Sequence, residues 1–242
     1  MPLDIVPFID GKLRGLAPTL EQRNPADPAE VVARLPESGA GLVAEAAAAA
    51  REALGGLAPI EARADALDRI GAALAAQSGD LAALITRETG KTINDAAGEV
   101  MRASRLFRFF AGEALRITGE RFDSVRPGVS VEVAYEPVGV IGAITPWNFP
   151  IAIPAWKIAP AIAFGNAVVW KPSEHATATA AALIRIVAEA GLPAGAVNLL
   201  PGAGPTGAAL VEDAGVDAIS FTGSEATGRG VRIGAATRGA RV

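Results

Sequence analysis

Val138-Gly-Val-Ile-Gly-Ala-Ile144 holds no polar side chain and runs straight into Thr145-Pro-Trp-Asn-Phe-Pro150. A short apolar run bounded by Gly and Pro reads as a buried strand. The two prolines that follow it make a rigid, non-helical turn with an amide side chain at its centre. Three further runs repeat the apolar pattern, at residues 167–171, 197–201 and 218–222. Between the four lie helical patterns at about 154–163, 176–190 and 205–213, and another begins at Ser224. Strand and helix in alternation specify a parallel sheet covered by helices. Ligands bind beyond the carboxyl ends of such strands, so the turns after them are where a site is sought.

Working toward the N-terminus, the pattern changes twice. Residues 117–137 read as a β-arm: Val129, Val131, Val133 and Tyr135 alternate with Ser130, Glu132, Ala134 and Glu136, after an Arg126-Pro-Gly128 turn. That period of two predicts one apolar and one wetter face. From Leu42 to Gly112 the apolar spacing is helical, with a break predicted at Ser78-Gly-Asp80 and a helix stop at Gly90, where only Gly enters the left-handed region cheaply. Arg102, Arg105 and Arg108 fall at helical spacing beside Glu99 and Glu113 and read as one solvated face. The first 35 residues are short apolar runs cut by Gly and Pro, hence strands and turns. The expected architecture is α/β: a Rossmann-like open parallel sheet with helices on both faces, an N-terminal helical layer and a protruding β-hairpin arm. The expected division is 1–116 for strands and helical layer, 117–137 for the arm and 138–242 for the nucleotide-binding core.

Composition narrows the chemistry. Half of the residues are hydrophobic and 20% are charged, with no uninterrupted apolar window of membrane-spanning length. No basic start followed by an apolar run opens the chain, so a cytoplasmic location is the default. A formal charge of -4 gives no reason to expect nucleic acid. There is no cysteine, which excludes disulfides, thiolate metal sites and a thiol nucleophile from these 242 residues. With His175 as the one histidine, no metal site is expected.

Three glycine strings compete for a phosphate. Gly202-Ala-Gly-Pro-Thr-Gly207 matches G-x-G-x-x-G, but Pro205 withdraws a backbone donor, and the acidic ribose partner expected about 20 residues on falls near Thr222. A tight strand-to-helix turn explains it equally well. Gly223-Ser-Glu-Ala-Thr-Gly228 has Walker-like glycines but is followed by Arg229 and Gly230, and Thr89-Gly-Lys-Thr92 has Ile85 where the leading Gly belongs. Neither is a P-loop. Phe221-Thr-Gly-Ser224 remains: a strand end, a glycine that lets a ligand approach, and a helix start whose free N–H groups attract an anion. An ordinary Ser N-cap is the plainer alternative. Trp170-Lys-Pro-Ser-Glu174 sets an ammonium and a carboxylate at one sheet edge, suited to ribose hydroxyls or to a simple ion pair. Asn148 is a neutral N–H donor on a rigid turn, suited to an oxyanion, or merely part of a packed loop.

Taken in order, these strings resemble the aldehyde dehydrogenase superfamily. The resemblance covers Phe8-Ile-Asp-Gly11, Asn24-Pro-Ala26, Arg87-Glu-Thr-Gly-Lys91, and the run from Glu136-Pro-Val-Gly139 through Thr145–Pro150, Trp156-Lys-Ile-Ala-Pro-Ala161 and Gly165-Asn166 to Phe221-Thr-Gly-Ser224. It implies NAD(P)-dependent oxidation of an aldehyde to a carboxylate, with NAD or NADP as cofactor. Asn148 would donate to the oxyanion of a thiohemiacetal, and Lys157 would be the lysine near the active site. Ile144, Pro146 and Trp147 would line the cofactor cleft; Lys171, Ser173 and Glu174 would lie at the adenosine ribose. Gly204 and Pro205 would border the adenine, and Phe221, Thr222, Gly223 and Ser224 would receive the pyrophosphate. A carboxylate at the ribose favours NAD, because a 2′-phosphate would meet like charge. The 117–137 arm is similar to the family's oligomerisation hairpin, which implies a homo-oligomer. Ser124-Val-Arg-Pro-Gly-Val-Ser-Val-Glu-Val133 is similar to α-ketoglutarate semialdehyde and succinate semialdehyde dehydrogenases. The family's Glu base and Cys nucleophile follow a Gly-Ala-Arg-Val-like approach, matched here by Gly239–Val242. Those two residues and the catalytic domain are expected to be missing from these 242 residues, which on their own are expected to be inactive. The alternatives are a non-catalytic nucleotide-binding module or a truncated product.

Overall fold

A computed structural model describes residues 1–57 and 59–242. The first 35 residues form β1 (Leu3–Asp4), β2 (Phe8–Ile9), β3 (Lys12–Leu13), β4 (Leu20–Asn24) and β5 (Asp27–Leu35). Four helices follow: α1 (Gly39–Ala53), α2 (Ile60–Ala76), α3 (Ser78–Thr89) and α4 (Ile93–Ala114), with one 3-10 turn at Leu54–Leu57. The arm is β6 (Glu120–Asp123) paired antiparallel with β7 (Ser130–Val133). The core then alternates β8 (Val140–Ile144), α5 (Ala152–Ala163), β9 (Ala167–Lys171), α6 (Thr177–Ala188), β10 (Val197–Leu199), α7 (Gly204–Glu212), β11 (Ala218–Phe221) and α8 (Glu225–Thr237).

The main sheet runs β11-β8-β9-β10-β2-β3. Its first four strands are parallel, while β2 joins β10 antiparallel through Phe8 and Leu199. The open parallel sheet is therefore as expected, and two N-terminal strands extend its edge. β1, β5 and β4 make a separate three-stranded sheet. One face of the main sheet is covered by α1, α7 and α8; the other carries α5 and α6, which α2, α3 and α4 overlie. The fully buried large side chains, Trp170, Phe107, Leu67, Ile70 and Ile158 among them, lie at these contacts.

One local expectation changes here. Ser78, Gly79 and Asp80 are the first turn of α3 and not a break; the interruption falls at Gln77, whose ψ of 14° departs from helix. The polar trio sits where free N–H groups favour it, which is why it looks like a turn in sequence. The arm has no buried face: Phe122, Val125, Val133 and Tyr135 are all exposed. Gly90, by contrast, ends α3 as expected, with φ 75°.

β8 begins at a position only glycine can fill. Gly139 has φ 123°, and a Cβ there would lie 2.0 Å from Asp217 Oδ2. That carboxylate accepts from Val140 N at 2.7 Å, and Asn166 Oδ1 accepts from the amides of Val138 and Gly139. The strand carrying the decisive turn is thus fixed at its start by side chains from two neighbouring loops.

Candidate active site at the carboxyl edge of the sheet

Register aligns three strand ends. Ile144 is opposite Lys171 on one side and Phe221 on the other, so β8, β9 and β11 finish level. Thr145 N donates to Lys171 O at 3.2 Å and Thr222 N to Ile144 O at 3.1 Å. The segments 145–150, 172–174 and 222–224 therefore leave one edge together. The chain steps from β8 outward to β9 and β10, then crosses back so that β11 lies on the other side of β8. That reversal is a topological switch point, where loops diverge and a crevice opens.

The N-termini of the crossover helices differ in one respect. Glu99, on α4, accepts from Ile151 N at 2.9 Å and Ala152 N at 3.1 Å where α5 begins. Glu88, on α3, accepts from Ala178 N at 2.6 Å and Thr179 N at 2.8 Å in α6, and from the Thr179 hydroxyl. Burial pushes the Glu88 carboxyl up to about 7 against the pull of those bonds. Glu37 accepts from Ala203 N at 3.1 Å and Thr206 N at 2.8 Å at the start of α7, and from the Thr206 hydroxyl. Partial burial pushes the Glu37 carboxyl up, but these bonds and the nearby Lys171 outweigh it, and the net shift is downward. In α8 the first turn is capped by its own Ser224, whose hydroxyl accepts from Thr227 N at 3.3 Å. Among the described residues no carboxylate from another element reaches α8's first amides. Ile219 to Glu225, Arg229 and Arg232 instead border an open cavity of about 720 Å³.

This arrangement separates the competing glycine strings. Gly202–Gly207 opens α7, but Glu37 already occupies its free amides, so it is a strand-to-helix turn with an internal anion. Gly204 and Gly207 serve differently: with Ile144, Lys171, Phe221, Gly230, Val231 and Gly234 they line a slot of about 380 Å³ between α7 and α8. A Cβ on Gly204 or Gly230 would meet nothing within 4 Å, so these glycines widen the slot. Phe221 packs beneath Gly223, where a Cβ would approach its ring to 2.5 Å. An apolar slot thus leads past an ammonium toward a helix N-terminus that, among the described residues, no foreign carboxylate fills.

The remaining residues fall into two groups. Lys171 is buried, and desolvation lowers its ammonium below the usual lysine range, opposed by Glu174 at 3.7 Å and by Glu37. Ser173 is spent on its own turn, accepting from His175 N at 3.3 Å. Pro205 lies in the first turn of α7 and does not line the slot. Pro146, Trp147 and Asn148 project beyond β8, with Trp147 51% exposed and Asn148 exposed. Lys157, on α5, donates to the Ser220 hydroxyl at 2.9 Å, and burial lowers its ammonium to about 8. Trp170 N–H donates to Thr145 Oγ1 at 2.9 Å, fastening the base of the turn to β9. Glu99 is a correction: it is 4% exposed and paired with Lys91, not part of the solvated arginine face. Helical spacing placed it one turn from Arg102, but a carboxylate facing the start of α5 is more useful inward than outward.

Fold and strand order together define an open, doubly wound α/β domain with helices on both faces of a parallel sheet. The aldehyde dehydrogenase family model matches residues 14–242, and the chain belongs to that family. It is 40% identical over 221 residues to an alpha-ketoglutaric semialdehyde dehydrogenase of Bacillus subtilis (strain 168), covering 90% of this chain and 45% of that protein. It is 37% identical over 249 residues to a 2-hydroxymuconic semialdehyde dehydrogenase of Pseudomonas sp. (strain CF600), covering 98% of this chain and 51% of the relative. A crystal structure of an NAD-dependent aldehyde dehydrogenase from Sinorhizobium meliloti superposes with a TM-score of 0.95 at 34% identity, over 100% of this chain and 50% of that one. A betaine aldehyde dehydrogenase from Staphylococcus aureus in complex with NAD+ gives 0.93 at 33% identity, over 98% of this chain and 48% of that one. The chain spans about half the length of the relatives it matches.

Proposed function

We propose that these 242 residues form the cofactor-binding and oxyanion side of an NAD(P)-dependent dehydrogenase that oxidises an aldehyde to a carboxylate, with a semialdehyde as the favoured substrate class. The observation that carries the reading is the level edge of β8, β9 and β11, beside α8, whose first turn no carboxylate from another element fills among the described residues. Bound there, the nicotinamide cofactor supplies a hydride acceptor. Gly204 and Ile144 border the adenine slot, with Pro205 next to Gly204 in the first turn of α7, and Lys171 and Glu174 hold the ribose, with Ser173 shaping their turn. The backbone of Phe221, Thr222, Gly223 and Ser224 receives the pyrophosphate. Pro146 and Trp147 flank the nicotinamide side, Asn148 donates its amide N–H to the developing oxyanion, and Lys157 places a cation beneath the same edge. Glu174 favours NAD over NADP, since a 2′-phosphate would face a carboxylate. The semialdehyde preference rests on the names of the B. subtilis and Pseudomonas relatives. We place the protein in the cytoplasm, where NAD(P) is abundant, and assign the 117–137 arm, exposed on both faces, to homo-oligomer contact.

A second reading, a nucleotide-binding module without catalysis, is favoured by the zero cysteine count, because no thiolate is available here to attack a carbonyl. Calorimetric titration of the 242-residue chain with NAD and NADP, followed by assay with short semialdehydes, tests both. Micromolar-range binding with NAD tighter, no turnover of the chain alone, and turnover once a Cys- and Glu-bearing catalytic half is supplied is the expected result. Absence of cofactor binding contradicts both readings.

A further inference from the structure

Arg87-Glu-Thr-Gly-Lys91 has no role in the cofactor slot, yet its lysine is held in place with unusual care. α3 ends at left-handed Gly90, and Lys91 then reaches the carboxylate of Glu99 on α4. The same ammonium donates to the backbone carbonyl of Asn148 at 2.8 Å and lies 4.2 Å from the centroid of the Phe149 ring. The Lys91 side chain is 16% exposed and that of Glu99 1%. Glu99 in turn accepts from the amides of Ile151 and Ala152. One buried ion pair therefore holds the turn at both ends: the ammonium takes 148–149 and the carboxylate takes 151–152.

The turn needs such a hold. Pro146 and Pro150 fix φ at their own positions and Pro150 also restricts Phe149, but φ and ψ remain free at Trp147 and Asn148. The Asn148 side chain is exposed and makes no hydrogen bond among the described residues, so the backbone that carries it decides which directions its rotamers can reach. Lys91 pins the carbonyl of that plane. An ammonium suits the task because it offers three donors from a point charge and can serve a carboxylate, a carbonyl and a ring face together. We infer that Lys91, acting through Glu99 and the Asn148 carbonyl, is a positioning residue that preorganises Asn148 as an oxyanion donor; the inference rests on the reading of Asn148 proposed above. Preorganisation of the donor, and not its mere presence, is what stabilises charge that develops in a transition state.

The test uses the 242-residue chain, 15N-labelled, with Lys91→Met, Lys91→Arg and the double variant Lys91→Met/Glu99→Gln, which strands no charge and keeps an acceptor for the amides of 151 and 152. In Lys91→Met the amides of Ile151 and Ala152 are expected to exchange at least about tenfold faster while those of β8 and β9 stay within about threefold. The backbone order parameters of Asn148 and Phe149 are expected to fall in Lys91→Met, and Lys91→Arg should restore most of both effects. Should the lone unpaired carboxylate unfold the single variant, the double variant is expected to fold and to show the same loss of order at 148–149. Order at 148–149 unchanged from wild type in the folded variants, or a loss spread evenly over β8 and β9, overturns the inference. Cofactor titration of the same samples keeps the two proposals apart. Lys91→Met should bind NAD like wild type, whereas a wild-type chain that binds none defeats the proposed function and leaves the exchange and order results to decide the clamp.

Discussion

Lys157 is where one side chain's environment yields a measurable pH dependence. Burial against β11 lowers its ammonium from 10.5 to about 8, while the unfolded chain keeps the ordinary value. Between these limits the unfolded state holds more protons, so this group adds stability as pH rises from about 8 toward 10.5. Below about 8 its desolvation cost is present in full. Lys157→Met should therefore raise stability over wild type most at pH 7, with the difference shrinking by pH 10.5. Denaturant titrations of both proteins across this range check it, and a difference independent of pH contradicts it. The residue's importance was readable from its place in the Trp156–Ala161 string; its partner was not, because Ser220 is 63 positions away and looks like any strand hydroxyl.

Among elements, α7 and α8 form the slot, and their glycines make the clearest test. Gly230 lies inside α8 and a Cβ there meets nothing within 4 Å. Gly230→Leu should raise helix stability by about 0.5–1 kcal/mol, since mid-helix glycine is costly, and at the same time fill the slot. Thermal melts should show no loss of stability while cofactor affinity falls at least about tenfold. Unchanged affinity with a filled slot would place the adenine elsewhere. The element pattern itself was largely legible: α5 to α8 and β8 to β11 fall within a few residues of the apolar runs that announce them, because each is bounded by Gly, Pro or a cap. The capping carboxylates were not. Glu37, Glu88 and Glu99 act on amides 52 to 169 residues away, and in sequence each is an acid on an ordinary helix or loop. Nothing in local periodicity marks a charge that closes another helix.

For the whole molecule, the sequence order of strands says that a parallel sheet forms, and only the crossover from β10 back past β8 brings the turn that carries Asn148 and the start of α8 to one sheet edge. β2 and β3, two residues each, were too short for a periodic signal and gain their place by edge pairing with β10. Family likeness supplied the choice of Phe221–Ser224 over Gly202–Gly207, and the capped start of α7 gives that choice a physical reason. Backbone amide shift mapping of the 15N-labelled chain during titration with NAD tests the arrangement most directly. The largest shifts should fall at Gly204, Gly207, Phe221, Gly223, Ser224 and Gly230, with the first turn of α6, held by Glu88, little changed. Shifts centred on α6 or on the arm, or none at saturating NAD, would contradict a cofactor site at the β8–β11 edge.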